Sequence, residues 1–562
     1  LLWYPEIVPR IRYQAIIIIA VTVLVFSNSL SGRFVMDDTS LVVYNPRVRS
    51  VSNIPGMFLG SAFFDPNKNE DQGGQFYRPL VSVAYSLLYA LGGSGPWIFH
   101  LFQIFMHAAN AVLLLLLLRR FSGEKFSLMA ALVFAVHPVN QITVAYISAL
   151  NDVLYQFFGL LALLVLPGRL FLSVLLLFAS LLAKETGVLF SAVAGLYLLL
   201  FKRKKLSMYI YFQIYAAALY ALLRFGLARV TYTVIPDIPI MRSTLLQRIL
   251  TMPKIFWYYI SAFLFPARLV CCQQWVVWSP GFQDFYLPLL LDIVVFALII
   301  AGGVFIRRRQ PSYFRSYLFF TVWFCLGLFM HLQIWPLDWT VLDTWFYFMF
   351  IGILGMIGVV FKAGPRNFSP LLAVPILLIL GVRTWIRNSD WRDGLTLFRH
   401  DLKLEQNAYL EGAIAAEYMT TGQYAESIPH WRESLRLNGW GIPAWYNMAY
   451  AYEKLGDFPQ AEAHYQTYLG LNEADYAYES LLALMLKTDP TGTRSAQIAR
   501  KAVDKFPEDP KFWLVLAISQ YLTGDSREAS ASAAKSYKIS PTRDALYVAD
   551  RIQKNLPIEL VK

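Results

Sequence analysis

Apolar residues fill long unbroken runs over the first 390 positions and recur with a helical period after them. "AIIIIAVTVLVF", "AVLLLLLL" and "VPILLILGV" are typical of the first region. Runs close to the length of a bilayer crossing predict transmembrane helices. About eleven crossings are predicted, at 11–30, 97–118, 126–145, 151–166, 170–183, 187–201, 207–228, 287–306, 313–333, 342–361 and 369–387. An odd number puts the two ends of the chain on opposite sides of the membrane. Two longer segments, 31–96 and 230–286, fall on the side opposite the N-terminus. The first holds "YRPLVSVAYSLLYALGG", amphipathic and suited to the interface. The second holds "PKIFWYYISAFLFPARL". It is read as an interfacial or re-entrant helix, because a full crossing there would carry Arg307–Arg309 to the wrong side.

Charge fixes the orientation. The chain of 562 residues is 57% hydrophobic with a net charge of +12. Fifteen cations lie in short turns between apolar runs: Arg10, Arg12, Arg119, Arg120, Lys125, Arg169, Lys202–Lys205, Arg307–Arg309, Lys362 and Arg366. They cover the whole excess, so no nucleic-acid surface is needed to explain it. The positive-inside rule makes these turns cytoplasmic. The N-terminus is then inside, with the first run a retained anchor, and residues beyond 390 lie outside. The one N-x-S/T sequon, at Asn367, falls in a cytoplasmic turn. Its absence outside favours a bacterial inner membrane with the outer side periplasmic. Cys271, Cys272 and Cys325 show no metal or redox spacing and are read as small buried hydrophobes.

Some runs are too short. Leu170–Ala183 is fourteen residues, about 21 Å as a helix against a hydrocarbon core of about 30 Å. "AKETG" therefore turns below the outer surface, and Asn151-Asp152 opens another short run. Charges at that depth are costly unless they face a wet cavity. The tail differs. Gly422 and Gly456 are 34 apart and Gly524 is 68 further on, with Pro490 and Gly492 in the missing slot. Tyr418 and Tyr452 precede their glycines by four. This is the tetratricopeptide period, predicting about four helix pairs, the third degenerate, stacked with a concave binding face. Tyr418, Tyr452 and Asn447 are candidate acceptor contacts there. The expected architecture is thus all-α: a membrane helix bundle over 1–390 and an α-solenoid over 391–562.

Polar residues collect on the outer face. Asp37 and Asp38 follow the first crossing, and Arg78 begins the amphipathic stretch. His137 and Asn140 end the third crossing. Asn151, Asp152, Lys184 and Glu185 are recessed, Arg224 lies within the seventh apolar run, Arg229 and Arg242 border the second outer segment, and Asp338 and Asp343 lie near the tenth crossing. A shielded carboxylate near a like charge has a raised pKa, as a general base requires. Arg and Lys nearby can hold a phosphate. A base and a phosphate clamp facing a membrane recess point to transfer from a lipid-linked phosphate donor. Plainer readings stand beside this one: the Asp pair as a solvated stop or N-cap, His137 as a helix-end residue, Lys184-Glu185 as an ion pair, Arg224 as a snorkelling side chain. A divalent metal, Mg²⁺ or Mn²⁺, on Asp37 and Asp38 is a further alternative.

"FVMDDTSLVVYNPRV", "AALVFAVHPVNQITVAYISALNDVL", "LLAKETGVLF", "YYISAFLFPARL" and "RNSDWRDGLTLFRHDL", followed by the repeats, resemble the transmembrane and tetratricopeptide-repeat O-mannosyltransferase family of the GT-C superfamily. The resemblance spans nearly the whole chain and is most specific over the first 200 residues. It implies a polyprenyl-phosphate sugar donor, a protein acceptor, and an active site in the first outer loop. By that resemblance Asp38 or Asp37 is the base, Arg78, Lys184 and Glu185 line the donor pocket, and His137 belongs to a His-Pro motif. Where relatives tend to carry a Glu-Arg-like pair before the tenth crossing, this chain reads "LDTWFYFMF", which leaves the sugar open. Attack by a deprotonated acceptor hydroxyl would invert the anomeric configuration. A lipid or glycan acceptor, and a non-catalytic membrane scaffold, are the competing readings. The recessed charges argue against the scaffold.

Overall fold

The computed structural model describes residues 7–65, 70–71, 76–232, 238–364, 373–437 and 441–559. Helices account for nearly all regular structure among them. The exceptions are a two-residue antiparallel pairing of Phe64–Asp65 with Glu70–Asp71 and an isolated antiparallel bridge between Gln273 and Val341. The chain divides by its contacts into two units, Leu1–Glu405 and Gln406–Lys562.

Seven helices of the first unit are long and apolar enough to cross a membrane, which makes this a multi-pass membrane protein. The pair Glu124–Val136 and Pro138–Ala145, bent by 50°, makes an eighth when counted as one broken span. Pro138 causes the break, since it supplies no N–H to continue the helix. Against the eleven crossings expected, Leu170–Ala183 and the helix of Glu185–Phe201 are apolar but short. The last expected span is a 17-residue helix, Val374–Asp390, and positions 365–372, including Asn367, lie outside the described residues. Helix Asp343–Ala363 is the hub: 83% of its apolar window is enclosed by protein, against 6% for Arg203–Leu227 and 17% for Phe282–Arg309. Those two present Leu, Ile and Phe side chains outward, as lipid contact requires. Leu245–Leu264, read above as interfacial, is a 20-residue helix that is not among the seven.

Two ends of the bundle are distinct. Near the start of helix Ile7–Phe26, Gln14 bonds Glu124 and accepts from Arg119, so Arg119 and Lys125 lie at that end. The Asp pair follows the other end of the same helix. There the "RNSDWRDG" motif clasps it: Asn28 donates to the Trp385 carbonyl, Asn388 to Val25, and the Arg33 N–H to the Arg392 carbonyl. Arg387 pairs in a fork with buried Asp401, at 2.6 and 2.8 Å, and Asp401 also accepts from the Cys271 N–H at 2.7 Å. This network draws helix Gly394–Leu402 into the first unit. The boundary therefore falls fifteen residues beyond the expected 390. Cys271 and Cys272 are buried and Cys325 half-buried.

The second unit comprises four helix pairs between Ala408 and Ile539, closed by helix Arg543–Gln553. Gly422, Gly456, Gly492 and Gly524 all take left-handed φ, from +71° to +89°, where the chain reverses within each pair. Gly492 does this in the third pair, two residues past the strict period. Asp457 and Asp525 cap the following helices by accepting from Gln460 and Glu528 N–H groups.

Removing Arg387 would leave buried Asp401 without its guanidinium fork, with only the Cys271 N–H and the His400 ring as partners. Arg387→Ala is expected to cost about 3–5 kcal/mol, read as a lowered melting temperature of the full chain in detergent.

Candidate functional site

The loop after the first helix is built to separate its two aspartates. Met36 holds a left-handed φ of +52°, rare for a residue with a side chain. That bend sends Asp38 inward and leaves Asp37 exposed. Asp38 has no solvent exposure. Its Oδ1 accepts from the Ser148 N–H (2.8 Å) and hydroxyl (2.5 Å), and its Oδ2 from the Val35 N–H (3.0 Å). The turn at Ser148 is itself braced: Tyr85 donates to the Ile147 carbonyl, Asn151 to Ser148, and Gln103 to Tyr146. Asp37 sits above this anchor, and its N–H donates to the Tyr146 hydroxyl at 3.2 Å.

Burial pushes the Asp38 carboxyl up to about 7, against the pull of the Ser148 and Val35 hydrogen bonds. The Asp37 carboxyl is reached by solvent yet lies deep among protein atoms, and this depth raises it above the ordinary carboxylate range. The Tyr146 hydroxyl lowers it and the charge of Asp338 raises it further.

Beside the Asp pair lies a cluster of cations and carboxylates. Lys184 Nζ meets Asp152 Oδ1 at 2.6 Å, and Arg78 Nε meets Glu185 Oε2 at 3.1 Å. Arg224 approaches Glu185 Oε1 at 3.7 Å, and the Tyr77 N–H donates to the same oxygen. The Lys184–Gly187 turn packs so tightly on the preceding helix that a Cβ on Gly187 would lie 2.6 Å from the Ser180 backbone. Only glycine fits there. Arg78 spends its Nε on Glu185, and among the described residues its two terminal nitrogens have no hydrogen-bond acceptor. They are available to an anion.

A third element completes the surroundings. Gln333 is fully buried with φ +61°, and pins the 333–342 loop by donating to the Trp339 and Thr340 carbonyls and accepting from the Leu337 N–H. Thr340 ties the loop to Gln273 and Trp275. Asp338, half-buried, rides on this loop within electrostatic range of Arg78 and Lys184. Sequence pattern marked Asp338 only as a neighbour of the tenth crossing. The buried glutamine with positive φ is the feature that singles it out, and that appears only in three dimensions.

Other expected site residues go elsewhere. His137 is buried: its Nδ1 accepts from the Val139 N–H, its Nε2 meets the Phe263 carbonyl at 3.0 Å, and its ring stacks on Phe263. Both nitrogens are used, so it locks the bent span instead of facing a donor. Asn151 braces Ser148. Arg242 is exposed at the end of Pro239–Arg242. In the second unit Tyr452 is core, 8% exposed, with its hydroxyl accepting from Arg432. Tyr418 stacks on His430 between paired helices, and Asn447 is half-buried on Ile442–Leu455. The Asp pair does not fit a shared metal, because Asp38 is enclosed and both its oxygens are engaged. Among the described residues no group of three or more His, Cys, Asp or Glu is placed to hold one.

The raised Asp38 pKa predicts a pH-dependent stability. Unfolded, this carboxyl ionises near 3.8; folded, it holds its proton to about 7. Between these values the folded state binds more protons, so this group's contribution makes stability fall as pH rises. Melting temperature against pH is expected to lose that slope in Asp38→Asn.

A tetratricopeptide-repeat family profile matches residues 442–475. The chain is 22% identical over 499 residues to the protein O-mannosyl-transferase TMTC3 of Mus musculus, covering 80% of this chain and 54% of that protein. It is 30% identical over 194 residues to TMTC1 of Homo sapiens, covering 31% and 22%, and 21% identical over 404 residues to the protein O-mannosyl-transferase F38B6.6 of Caenorhabditis elegans, covering 69% and 57%. The chain thus spans little more than half the length of the longest-matching of these relatives. Among solved structures, MamA from Desulfovibrio magneticus RS-1 aligns with 27% of this chain and 86% of its own, at 17% identity and a TM-score of 0.25. In sequence, the chain is similar to protein O-mannosyl-transferases of mouse, human and worm.

Proposed function

We propose that this protein is a membrane glycosyltransferase that moves a monosaccharide from a polyprenyl-phosphate donor to a Ser or Thr hydroxyl of a protein acceptor. The observation that carries the reading is the division of labour in the Asp pair. Asp38 is consumed in anchoring the loop, which leaves solvent-reachable Asp37 held beside a cation cluster. The similarity to protein O-mannosyl-transferases supports the same chemistry. The tetratricopeptide repeats supply a surface for a protein acceptor.

In this reading Asp37, not Asp38, is the base. Its carboxylate takes the proton of the acceptor hydroxyl as that oxygen attacks the anomeric carbon. The bond from the anomeric carbon to the phosphate oxygen breaks, and the lipid phosphate leaves with the electron pair. Attack opposite the leaving group inverts the anomeric configuration. The phosphate needs only positive charge to depart, and Arg78, Lys184 and Arg224 are the local sources. Asp38 is a positioning residue. In this reading the site lies on the outer face, periplasmic in a bacterial inner membrane, a placement supported by the basic turns at the other bundle end through the positive-inside rule.

The test uses the full chain in lipid nanodiscs with polyprenyl-phosphate sugars and a Ser/Thr peptide. Asp37→Asn is expected to lower transfer by about 10²–10⁴-fold without lowering the melting temperature. Full transfer by this variant would overturn the assignment of the base. A protonated Asp37 cannot accept a proton, so kcat/KM should fall as pH is lowered. The midpoint should lie above the ordinary carboxylate range, because burial raises this group.

A further inference from the structure

One short turn holds both aspartates. Ser148 anchors Asp38, and two residues earlier the Tyr146 hydroxyl accepts the Asp37 N–H at 3.2 Å. Tyr146 is placed there with little freedom. It ends helix Gln141–Ala145 in extended backbone, with φ −87° and ψ 114°. Its N–H donates to the Ile142 carbonyl (3.1 Å), and its carbonyl accepts from Gln103 Nε2 (2.6 Å) and the Ala149 N–H (3.0 Å). With both backbone groups engaged, only the side-chain torsions remain. Trp391 restrains those, its ring centroid lying 5.5 Å from the phenol ring at an angle of 44°. Trp391 is 2% exposed and contributes its ring alone: among the described residues its indole nitrogen is buried without a hydrogen-bond partner.

Trp391 reaches the same loop by a second route. The carbonyl of its neighbour Arg392 accepts the Arg33 N–H at 2.9 Å. Residues 391 and 392, just past helix Val374–Asp390, thus grip the loop at its start and, through Tyr146, at Asp37. A phenol that accepts from a backbone N–H still has its own O–H to donate. The Tyr146 hydroxyl also bonds the Asp37 carboxyl, and this opposes the effect of burial on that group. A base that takes a hydroxyl proton as the oxygen attacks needs one orientation, since a misplacement of about 1 Å can cost about 10²-fold in rate. We infer that Tyr146 is the positioning residue of the base: its phenol holds Asp37 by backbone and side chain, and the ring of Trp391 holds the phenol. This rests on Asp37 as the base of the glycosyl transfer and adds the groups that orient it.

The experiment compares Tyr146→Phe, Trp391→Phe and Trp391→Leu in the full chain in nanodiscs. Polyprenyl-phosphate mannose, glucose and galactose are offered with a Ser/Thr peptide, and the sugar that is transferred is used throughout. Tyr146→Phe is expected to lower kcat by about 10- to 10²-fold, with KM for donor and peptide unchanged. The phenol favours the ionised carboxylate, so its loss raises the Asp37 carboxyl and moves the acidic limb of kcat/KM to higher pH. Trp391→Leu should move kcat and the limb in the same directions by less, and Trp391→Phe, which keeps a ring, should restore most of both. In the double variant Tyr146→Phe/Trp391→Leu the limb should lie where Tyr146→Phe alone puts it, because Trp391 acts through the phenol. A purely structural role for Tyr146 would lower the melting temperature and leave the limb in place. That result, or wild-type kcat in Tyr146→Phe, would overturn the inference. A limb displaced further in the double variant would overturn the role given to Trp391. The position of the limb does not depend on how much of the protein is folded, so a variant that melts lower is still read. Absence of transfer by the wild type, or full transfer by Asp37→Asn, would instead overturn the reading of the site, and this inference with it.

Discussion

The first outer loop depends on one buried carboxylate. Asp38 gathers the Val35 N–H from its own loop and both donors of Ser148 from the start of a membrane helix. A charge with no solvent exposure is expensive to hold, and three donors offset that cost only while the geometry is kept. The loop therefore has one register against the bundle. Every other feature of the site inherits its position from that register: the bend at Met36, the exposure of Asp37, and the contact of Asp37 with Tyr146.

The cation cluster obeys a related constraint. Lys184 and Asp152 are both nearly enclosed, and each makes the other tolerable at that depth. Glu185 serves two arginines from different elements, one before the Pro79–Gly92 helix and one in the Leu222–Leu227 turn. Such a network sets the spacing of positive charge before any ligand arrives, so little reorganisation is left for the chemical step. The short helix Leu170–Ala183 and the close approach at Gly187 lower this turn to where the charges can meet.

The second unit is organised by repetition. Left-handed glycines reverse the chain in each pair, aspartates cap the second helix in two of the four, and aromatic residues fill the layers between them. Of its signature tyrosines, Tyr452 belongs to the core and Tyr418 is half-buried against His430.

Periodicity in the sequence determined the all-helical class, most of the apolar spans and the repeat unit, because each is a local property of hydrophobicity and backbone preference. It also drew attention to Asp37-Asp38 and Lys184-Glu185, since charge beside apolar runs is visible in one dimension. Tertiary structure decided the rest. Two adjacent aspartates look alike in sequence, yet one is an anchor and the other is open, because a single left-handed residue turns them apart. His137 carries a motif but spends both nitrogens on its own span. Asp338 carries none, and a loop pinned by contacts distant in sequence holds it within electrostatic range of Arg78 and Lys184. Which side chains share a site is set by packing between remote segments, and local pattern holds no record of that.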